Sequence, residues 1–579
     1  MLAANWRDIR SALSGGAIRL AGFAVILSLL GMFVQMVTVA YPILAPSSLT
    51  EVAVSSGFNK ASLPTGERAT NVRLDNSRLF PVPGNWQLYG KPDESWFWVH
   101  EFTGFRIENT ALPTEWVKAT AVGRDRGLVL LTKDGLISHH HYLAPKLAGD
   151  APSTELVEQL FMSNDLFLLQ GHPRLSVVAV ASEDNVIQLL DFRNPETPLS
   201  KNITFAPEAL EWRSSTRLVV IGDGERRTFE FETTDIGGAW DRLIRPVHYE
   251  GYEAPNYLWL PLPASEEAEP KYSIAPLLFG TFKAAFLALI FAVPLSIGAA
   301  VYVGFFMSEV QRGRIRPAID MLTAFPTVVL GAIGLFWIAP NFERVLSALI
   351  GIVVLFPLLT TLAVFLLRSA GLRLVRLDAL DDWPLKLLPL VLIILIVSCW
   401  VGLRGAELLP GGSLGEFLAI RGITLNYFNS LLVGLVLGLA ITPTIFSVAE
   451  EAIHSVPRNL SSGALALGST PWQSYKDVVL PLAMPGMIAA VMIGFGRAAG
   501  ETMILLMLSG NTGVIDSSVF EGLRSVSASL ALELPEAPRN SSHYYVLFVM
   551  GLLLFASTFA INTAAEVIKD RVKARARGV

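Results

Sequence analysis

The sequence predicts a polytopic α-helical membrane protein with an inserted, mostly β domain outside the membrane. Three observations predict it. The 579-residue chain is 52% hydrophobic and only 16% charged, with a mean hydropathy of +0.48, which is too apolar for an ordinary soluble protein of that length. About eight runs are long and apolar enough to cross a hydrocarbon layer of roughly 30 Å. Between the first and second of these lies a long stretch, 42–274, of a different character.

The apolar runs fall near 18–41, 275–307, 318–339, 346–368, 385–403, 426–448, 483–508 and 544–567. The stretch 318–368 could equally hold a re-entrant segment. The first run follows Arg7, Arg10 and Arg19 and continues into "VTVAYPILAP" with no small-residue cleavage signature, so it reads as a retained anchor with a cytoplasmic N-terminus. The loops that then fall inside are "SEVQRGRIRP" (308–317), "RSAGLRLVRLDALDDWPLK" (368–386), 449–482 and the tail "KDRVKARARGV". Arginine and lysine concentrate in the short ones and in the tail, as the positive-inside rule requires. Eight spans with both termini inside is the expected solution, with 42–274, "PNFER" (340–344), 404–425 and 509–543 outside.

The outside stretch alternates strand-like runs with polar turns. In "GLVLLTKDGLISHHHYL" (127–143) the turn is Lys133-Asp134-Gly135, and in "RLVVIGDGERRTFEFE" (217–232) it is Gly222-Asp223-Gly224, both hairpin chemistry. The best hairpins recur every 40–50 residues, which suits propeller blades, although no Trp-Asp signature repeats; a partial propeller or a sandwich is expected. The triplet His139, His140 and His141 invites a metal site. Alternation sends His140 to the opposite face and no acidic partner stands at ligand spacing, so a solvated strand is the expected reading. "PASEEAEP" (263–270) reads as an acidic linker back to the membrane.

Several classes are excluded. A net charge of −5 offers no concentrated basic face for nucleic acid. One cysteine, Cys399, permits neither an intramolecular disulfide nor a cysteine cluster. The sequence contains no G-x-x-x-x-G-K-[ST] or H-E-x-x-H, so the chain is not expected to be an enzyme or to bind a cofactor or ATP itself.

On the inside face, "EEAIHSVPRNLSSGALALGSTPWQSYKDVVLPLAMPG" (450–486) carries helix punctuation. Asn459 is placed to cap a short helix that Gly468 ends, and Ser469-Thr470-Pro471 restarts a second helix running to Leu480-Pro481. Two short helices at a turn make a knob suited to a groove on another protein. The positions Ala464, Gly468, Val478, Leu480 and Pro481 resemble the "EAA" coupling loop of bacterial ABC-importer permeases. Ser462-Gly463 stands where that motif begins Glu-Ala, and Glu450 and Glu451 with Pro457 resemble its usual lead-in. "GRAAGETM" (496–503) looks like the signature of phosphate-importer permeases of the PstC type. The runs at 277–307 and 319–340, with Pro326 to Gly331, are similar to that family's first core spans.

The resemblance implies a type I ABC-importer permease core in the bacterial inner membrane. It also implies a second permease subunit (PstA-like), ATP-binding subunits (PstB-like) that use the ATP, a periplasmic phosphate-binding protein (PstS-like), inorganic phosphate as cargo and surrounding lipid. The expected partition is a cytoplasmic N-terminus and anchor at 1–45, a periplasmic β-rich domain at 46–270 and first core spans at 271–341. An inserted hydrophobic hairpin with its periplasmic loop follows at 342–425, and the core resumes at 426–579 with the coupling loop at 450–482.

Arg497 and Glu501 sit inside an apolar run, where a charge costs roughly 2.5–3.5 kcal/mol on insertion scales. Four apart on a helix, they share a face and are expected to pair. Arg497 then offers a guanidinium fork to an oxyanion, with Glu501 as a removable internal counter-ion and Gly500 and Thr502 alongside; the alternative is a purely structural salt bridge. Translocation of another oxyanion or polar solute, or a membrane-anchored sensor with a β ligand-binding domain, are the competing functions.

Overall fold

The computed structural model describes residues 2–56, 78–81, 86–90, 95–100, 106–123, 127–143, 152–162, 166–193, 198–234, 240–249, 252, 254–262, 270–369 and 383–576. Most of the linker 263–270 and most of the loop 368–386 lie outside these residues. The chain divides into two units, 1–275 with 538–549, and 276–537 with 550–579.

The first unit opens with α1 (Leu2–Leu44) and continues into four antiparallel four-stranded sheets. β1 (Ser48–Ser56) is followed by β2 (Arg78–Pro81), β3 (Trp86–Gly90), β4 (Trp96–His100) and β5 (Arg106–Asn109), the last four forming one sheet. β6 (Trp116–Val122), β7 (Gly127–Thr132), β8 (Leu136–Leu143) and β9 (Ser153–Phe161) form the second. β10 (Leu166–Gly171), β11 (Val177–Ser182), β12 (Val186–Asp191) and β13 (Leu199–Asn202) form the third. β14 (Ala209–Ser214), β15 (Arg217–Gly222) and β16 (Glu225–Glu232) form the fourth, whose outer strand is β1, paired from Ser48↔Glu232 to Ser56↔Glu225. Sequential four-stranded meanders whose last sheet is completed by the first strand have the strand order of propeller blades. A two-stranded pair, β17 (Trp259–Leu260) and β18 (Lys271–Tyr272), ends the unit.

The sheets pack face to face. Leu128, Leu130 and Tyr142 of the second meet Leu88, Trp96 and Trp98 of the first, while its Val129, Leu131 and Ile137 meet Val178, Val180 and Leu190 of the third. Val177, Ala179 and Leu189 of the third meet Leu218, Val220 and Phe229 of the fourth. This corrects the solvated-strand reading of the histidine triplet. β8 lies within a sheet covered on both sides, so alternation leads from one dry layer to another, and His139, His140 and His141 are all buried. His139 stacks on Phe192 at 4.5 Å and neither of its ring nitrogens has a hydrogen-bond partner. His140 Nε2 and Ser138 Oγ share a hydrogen bond of 3.0 Å. Burial makes the imidazolium form costly, holding His139 well below its ordinary value, His140 down at about 4 and His141 at about 3, the last with added repulsion from His248 and Arg242.

The second unit is helical. α2 (Ala275–Val301) ends in a π-turn at Tyr302–Phe306. It is followed by α3 (Glu309–Leu322), α4 (Thr327–Ile333), a π-turn at Gly334–Ile338, a 3₁₀ turn at Ala339–Asn341 and α5 (Phe342–Ser369). α6 (Trp383–Glu407), α7 (Leu414–Ala419), α8 (Ser430–His454), α9 (Arg458–Ala466) and α10 (Pro471–Ser474) lead to α11 (Leu480–Ala499), α12 (Met503–Leu508), α13 (Val526–Glu533) and α14 (Ser542–Ala576), whose first turns belong to the other unit. α8 is central, with Leu432, Val436, Ile441, Ile445 and Phe446 buried beside α2 and α11 residues in one cluster.

Seven helices among the described residues are long and apolar enough to span, where eight were expected. The difference arises at 318–368. Residues 318–322 belong to the polar helix α3, and Pro326 caps the next helix, moving its start to Thr327. No loop then separates two spans at "PNFER": Ile338, Ala339 and Phe342 all keep helical dihedrals, and Pro340 is absorbed by the 3₁₀ turn. The resulting stretch of 41 residues is roughly 62 Å long at 1.5 Å per residue, about twice the hydrocarbon thickness. α5 and α6 cross on glycines. A Cβ on Gly351 would lie 2.5 Å from Gly402 Cα and one on Gly402 would lie 2.6 Å from Ser347 O, so only hydrogen fits at either position.

Candidate functional site

α11 delivers Arg497 to the last turn of a helix in the bundle's interior, and Gly500 terminates it: the helix ends at Ala499 with Gly500 as its C-cap. This corrects the pairing expected from i,i+4 spacing. Glu501 and Thr502 lie beyond the helix, Thr502 being the N-cap residue of α12, and no ion pair joins Arg497 to Glu501. The Arg497 guanidinium instead donates from Nη1 to the Thr444 hydroxyl on α8. The backbone carbonyl of Glu501 accepts from Ser527 Oγ at 2.6 Å, drawing α13 to the same elbow. Gly496 allows a close approach, since a Cβ there would fall 2.7 Å from Asn562 Oδ1 on α14; no other segment lies within 4 Å of one placed on Gly500. The half-buried cation is thus tethered by a neutral hydroxyl, which leaves its charge uncancelled.

The loop 450–482 has the two helices its punctuation predicted. α9 starts two residues earlier than expected, at Arg458 after Pro457, so Asn459 is not its cap. Gly468 takes φ +91°, and the bonds Gly468 N→Leu465 O and Ser469 N→Ala464 O close α9 behind it. Thr470 caps α10 through a reciprocal box with Gln473, and Pro471 occupies the first turn. The second helix does not stop at Leu480-Pro481. A π-turn at Tyr475–Val479 carries it into α11 with helical dihedrals at Ser474, Val479 and Leu480. Pro481 has no N–H to give and crowds the carbonyl four residues back, and the wider π-turn just before it accommodates both. The rod from Pro471 to Ala499 is 29 residues, roughly 43 Å at 1.5 Å per residue, and it joins the knob to Arg497 without a hinge loop. Leu460, Leu465, Leu467 and Trp472 are exposed on the knob, an apolar surface of the kind that marks a partner site. Val478 and Leu480 are half-buried and Pro481 exposed.

Two groups of residues escaped sequence reasoning. Thr444 is one, and only the packing of α8 on α11 reveals it. The other surrounds Glu450, which is fully buried: Arg312 Nε lies 2.5 Å from Glu450 Oε1 and Arg316 Nη1 lies 3.3 Å from Oε2. The spacing of charges within "EVQRGRIRPAID" is the available signal, and in the sequence it speaks only to topology.

Residues 385–577 match the family described as binding-protein-dependent transport system inner membrane component. A probable ABC transporter permease, YqgH of Bacillus subtilis, is 25% identical over 53% of this chain and 75% of its own. The phosphate transport system permease PstC of Haemophilus influenzae is 28% identical over 58% and 85%, and that of Mesorhizobium japonicum is 27% identical over 52% and 75%. A chain of the MetNI methionine ABC transporter aligns over 52% of this chain and 94% of its own at 15% identity, with a TM-score of 0.29, a likeness too remote to add to the sequence matches. Residues 385–577 thus resemble the inner membrane component of binding-protein-dependent transport systems, and about half the chain is similar to PstC phosphate transport permeases.

Proposed function

We propose that this subunit passes inorganic phosphate inward across the bacterial inner membrane, driven by ATP hydrolysed in separate subunits. The observation that supports it best is Arg497: a guanidinium inside the permease core, held by the Thr444 hydroxyl and by no carboxylate. Such a cation recognises an oxyanion through planar, multidentate donation, and a neutral tether leaves it able to release the anion afterwards. Glu501, Gly500 and Thr502 form the elbow beside it. The homology to phosphate permeases favours phosphate over other oxyanions.

In this reading the knob at 458–474 docks on PstB-like ATPase subunits and the Pro471–Ala499 rod carries their closure to Arg497. A PstA-like permease completes the pathway, and a PstS-like binding protein delivers phosphate to a periplasmic side that also holds the β domain of 46–270. The N-terminus is cytoplasmic. The test is uptake of labelled phosphate by cells lacking and regaining this chain, with molybdate and sulfate as competitors. Uptake unchanged by its loss, or competed by molybdate and sulfate as strongly as by unlabelled phosphate, refutes the phosphate assignment.

A further inference from the structure

We propose that α3 is a second transmission strut, clamped to the coupling loop by a closed charge network in which Glu450 is the positioning residue. The proposal rests on the docking role of the 450–482 loop and on Arg497 lying on the pathway.

α3 presents Glu309, Arg312, Arg316 and Asp320 at spacings of three, four and four, a single helical face. Each of these is tied to α8 or the coupling loop. Glu309 pairs with Arg458 at the start of α9. Arg312 reaches Glu450 and also donates from Nη1 to His454 Nε2 at 2.8 Å. Arg316 holds the second oxygen of Glu450. Asp320 Oδ1 accepts from Ser447 Oγ at 2.5 Å. Three carboxylates (Glu309, Asp320, Glu450) thus face three guanidiniums (Arg312, Arg316, Arg458), and the set is balanced.

This inverts the usual amphipathic helix: the charged stripe faces the bundle while Val310, Met321 and Leu322 are exposed. Burying an ion pair gains little over apolar packing of the same volume, so such pairs are poor stabilisers; what they fix well is register, because each partner has one place to go. A cavity of about 260 Å³ lined by Glu309, His454, Arg458 and Ser461 interrupts packing beside the clamp, so displacement there passes through the ion pairs.

α3 leads through a short turn into α4, and α4 lies against α12, where a Cβ on Gly331 would fall 2.9 Å from Met507 Sδ. α12 begins immediately after Thr502. The elbow at Gly500–Thr502 is therefore reached from the coupling loop by two routes, α11 on one side and α3–α4–α12 on the other.

The test uses the complex assembled with its ATPase subunits. Glu450→Gln is expected to lower phosphate uptake at least tenfold while ATPase subunits stay bound and hydrolysis continues within about twofold, with Glu450→Asp recovering part of the uptake. Unchanged uptake in Glu450→Gln, or loss of the bound ATPase subunits, overturns the proposal. Independently, Asp320→Cys with Ser447→Cys in a Cys399→Ser background, bridged by a short thiol cross-linker, is expected to keep uptake within twofold, because the two helices move as one body. Arrest on cross-linking overturns it. Failure of the phosphate reading is distinguishable, since it removes uptake from the parent complex as well.

Discussion

The two units treat buried polar groups in opposite ways. In the β unit the groups between sheet layers are histidines held neutral by burial, and the buried ion pair Asp191–Arg193 at 2.7 Å joins residues two apart in one turn. In the helical unit the buried pairs reach farther: Arg312 and Arg316 of α3 to Glu450 of α8, and Arg524, just ahead of α13, to Glu533 at the far end of that helix. Desolvating a charge is expensive in either place, and the charged form survives only with a partner. A sheet stack can use imidazole as filler because burial keeps the ring neutral, and a neutral ring needs no ionic partner. The helical unit keeps full charges where elements must hold one another in register, and at Arg497 it leaves one partnered by a hydroxyl.

That contrast can be broken most forcefully at Arg497. Arg497→Ala is expected to reduce phosphate uptake at least 100-fold with the complex still assembled, and Arg497→Lys to recover only part, because a point charge lacks the fork. Normal uptake by the alanine variant would remove Arg497 from the pathway.

Next in size is Glu533→Ala. It leaves the Arg524 guanidinium with the Ser529 hydroxyl but no carboxylate and is expected to cost about 3 kcal/mol, read as a large drop in the detergent-solubilised protein's melting temperature. Gly468→Asp places a side chain at φ +91°, costing about 1–2 kcal/mol of backbone strain. It is expected to weaken co-purification of the ATPase subunits roughly tenfold without changing membrane insertion.

The β unit offers the subtler tests. A histidine whose folded pKa is depressed binds fewer protons folded than unfolded between the two values, so stability is complete above the unfolded pKa of about 6.5 and falls as pH drops toward the folded one. With His140 at about 4 and His141 at about 3, protection of the β7–β8 amides from hydrogen exchange is expected to decline steadily from pH 6.5 to pH 4. A flat profile would show that the imidazoles are not dry. The smallest effect is expected from His139→Leu: with no hydrogen bond to lose, the change should stay within about 1 kcal/mol at pH 7 and soften the acid decline.

The parts of this architecture legible in the sequence are those with local causes. Ser469-Thr470-Pro471 announced a helix start, Gly468 a helix end, and Lys133-Asp134-Gly135 a hairpin, because cap and turn chemistry acts over three or four residues. Arg497 and Glu501 misled for the same reason. Spacing of four promises a pair only if the helix continues, and Gly500 ends it. The histidine triplet misled because period-two alternation says which residues share a face, not whether that face meets water. The charge spacing on α3 hints at a clamp but not at its partners, which stand at least 127 positions away, and only the folded bundle brings them together.

The pairing of β1 with β16 has a consequence in time. Thr50 meets Glu230, so the first strand to leave the ribosome waits for a partner 180 residues behind it. At 5–20 residues per second the wait is on the order of 10–40 s. Until then β1 is an open edge directly behind the anchor helix, the kind of surface that recruits stray strands. Closure of the last sheet is a late event with high contact order, and chains cut short before Glu232 would leave that edge permanently uncovered.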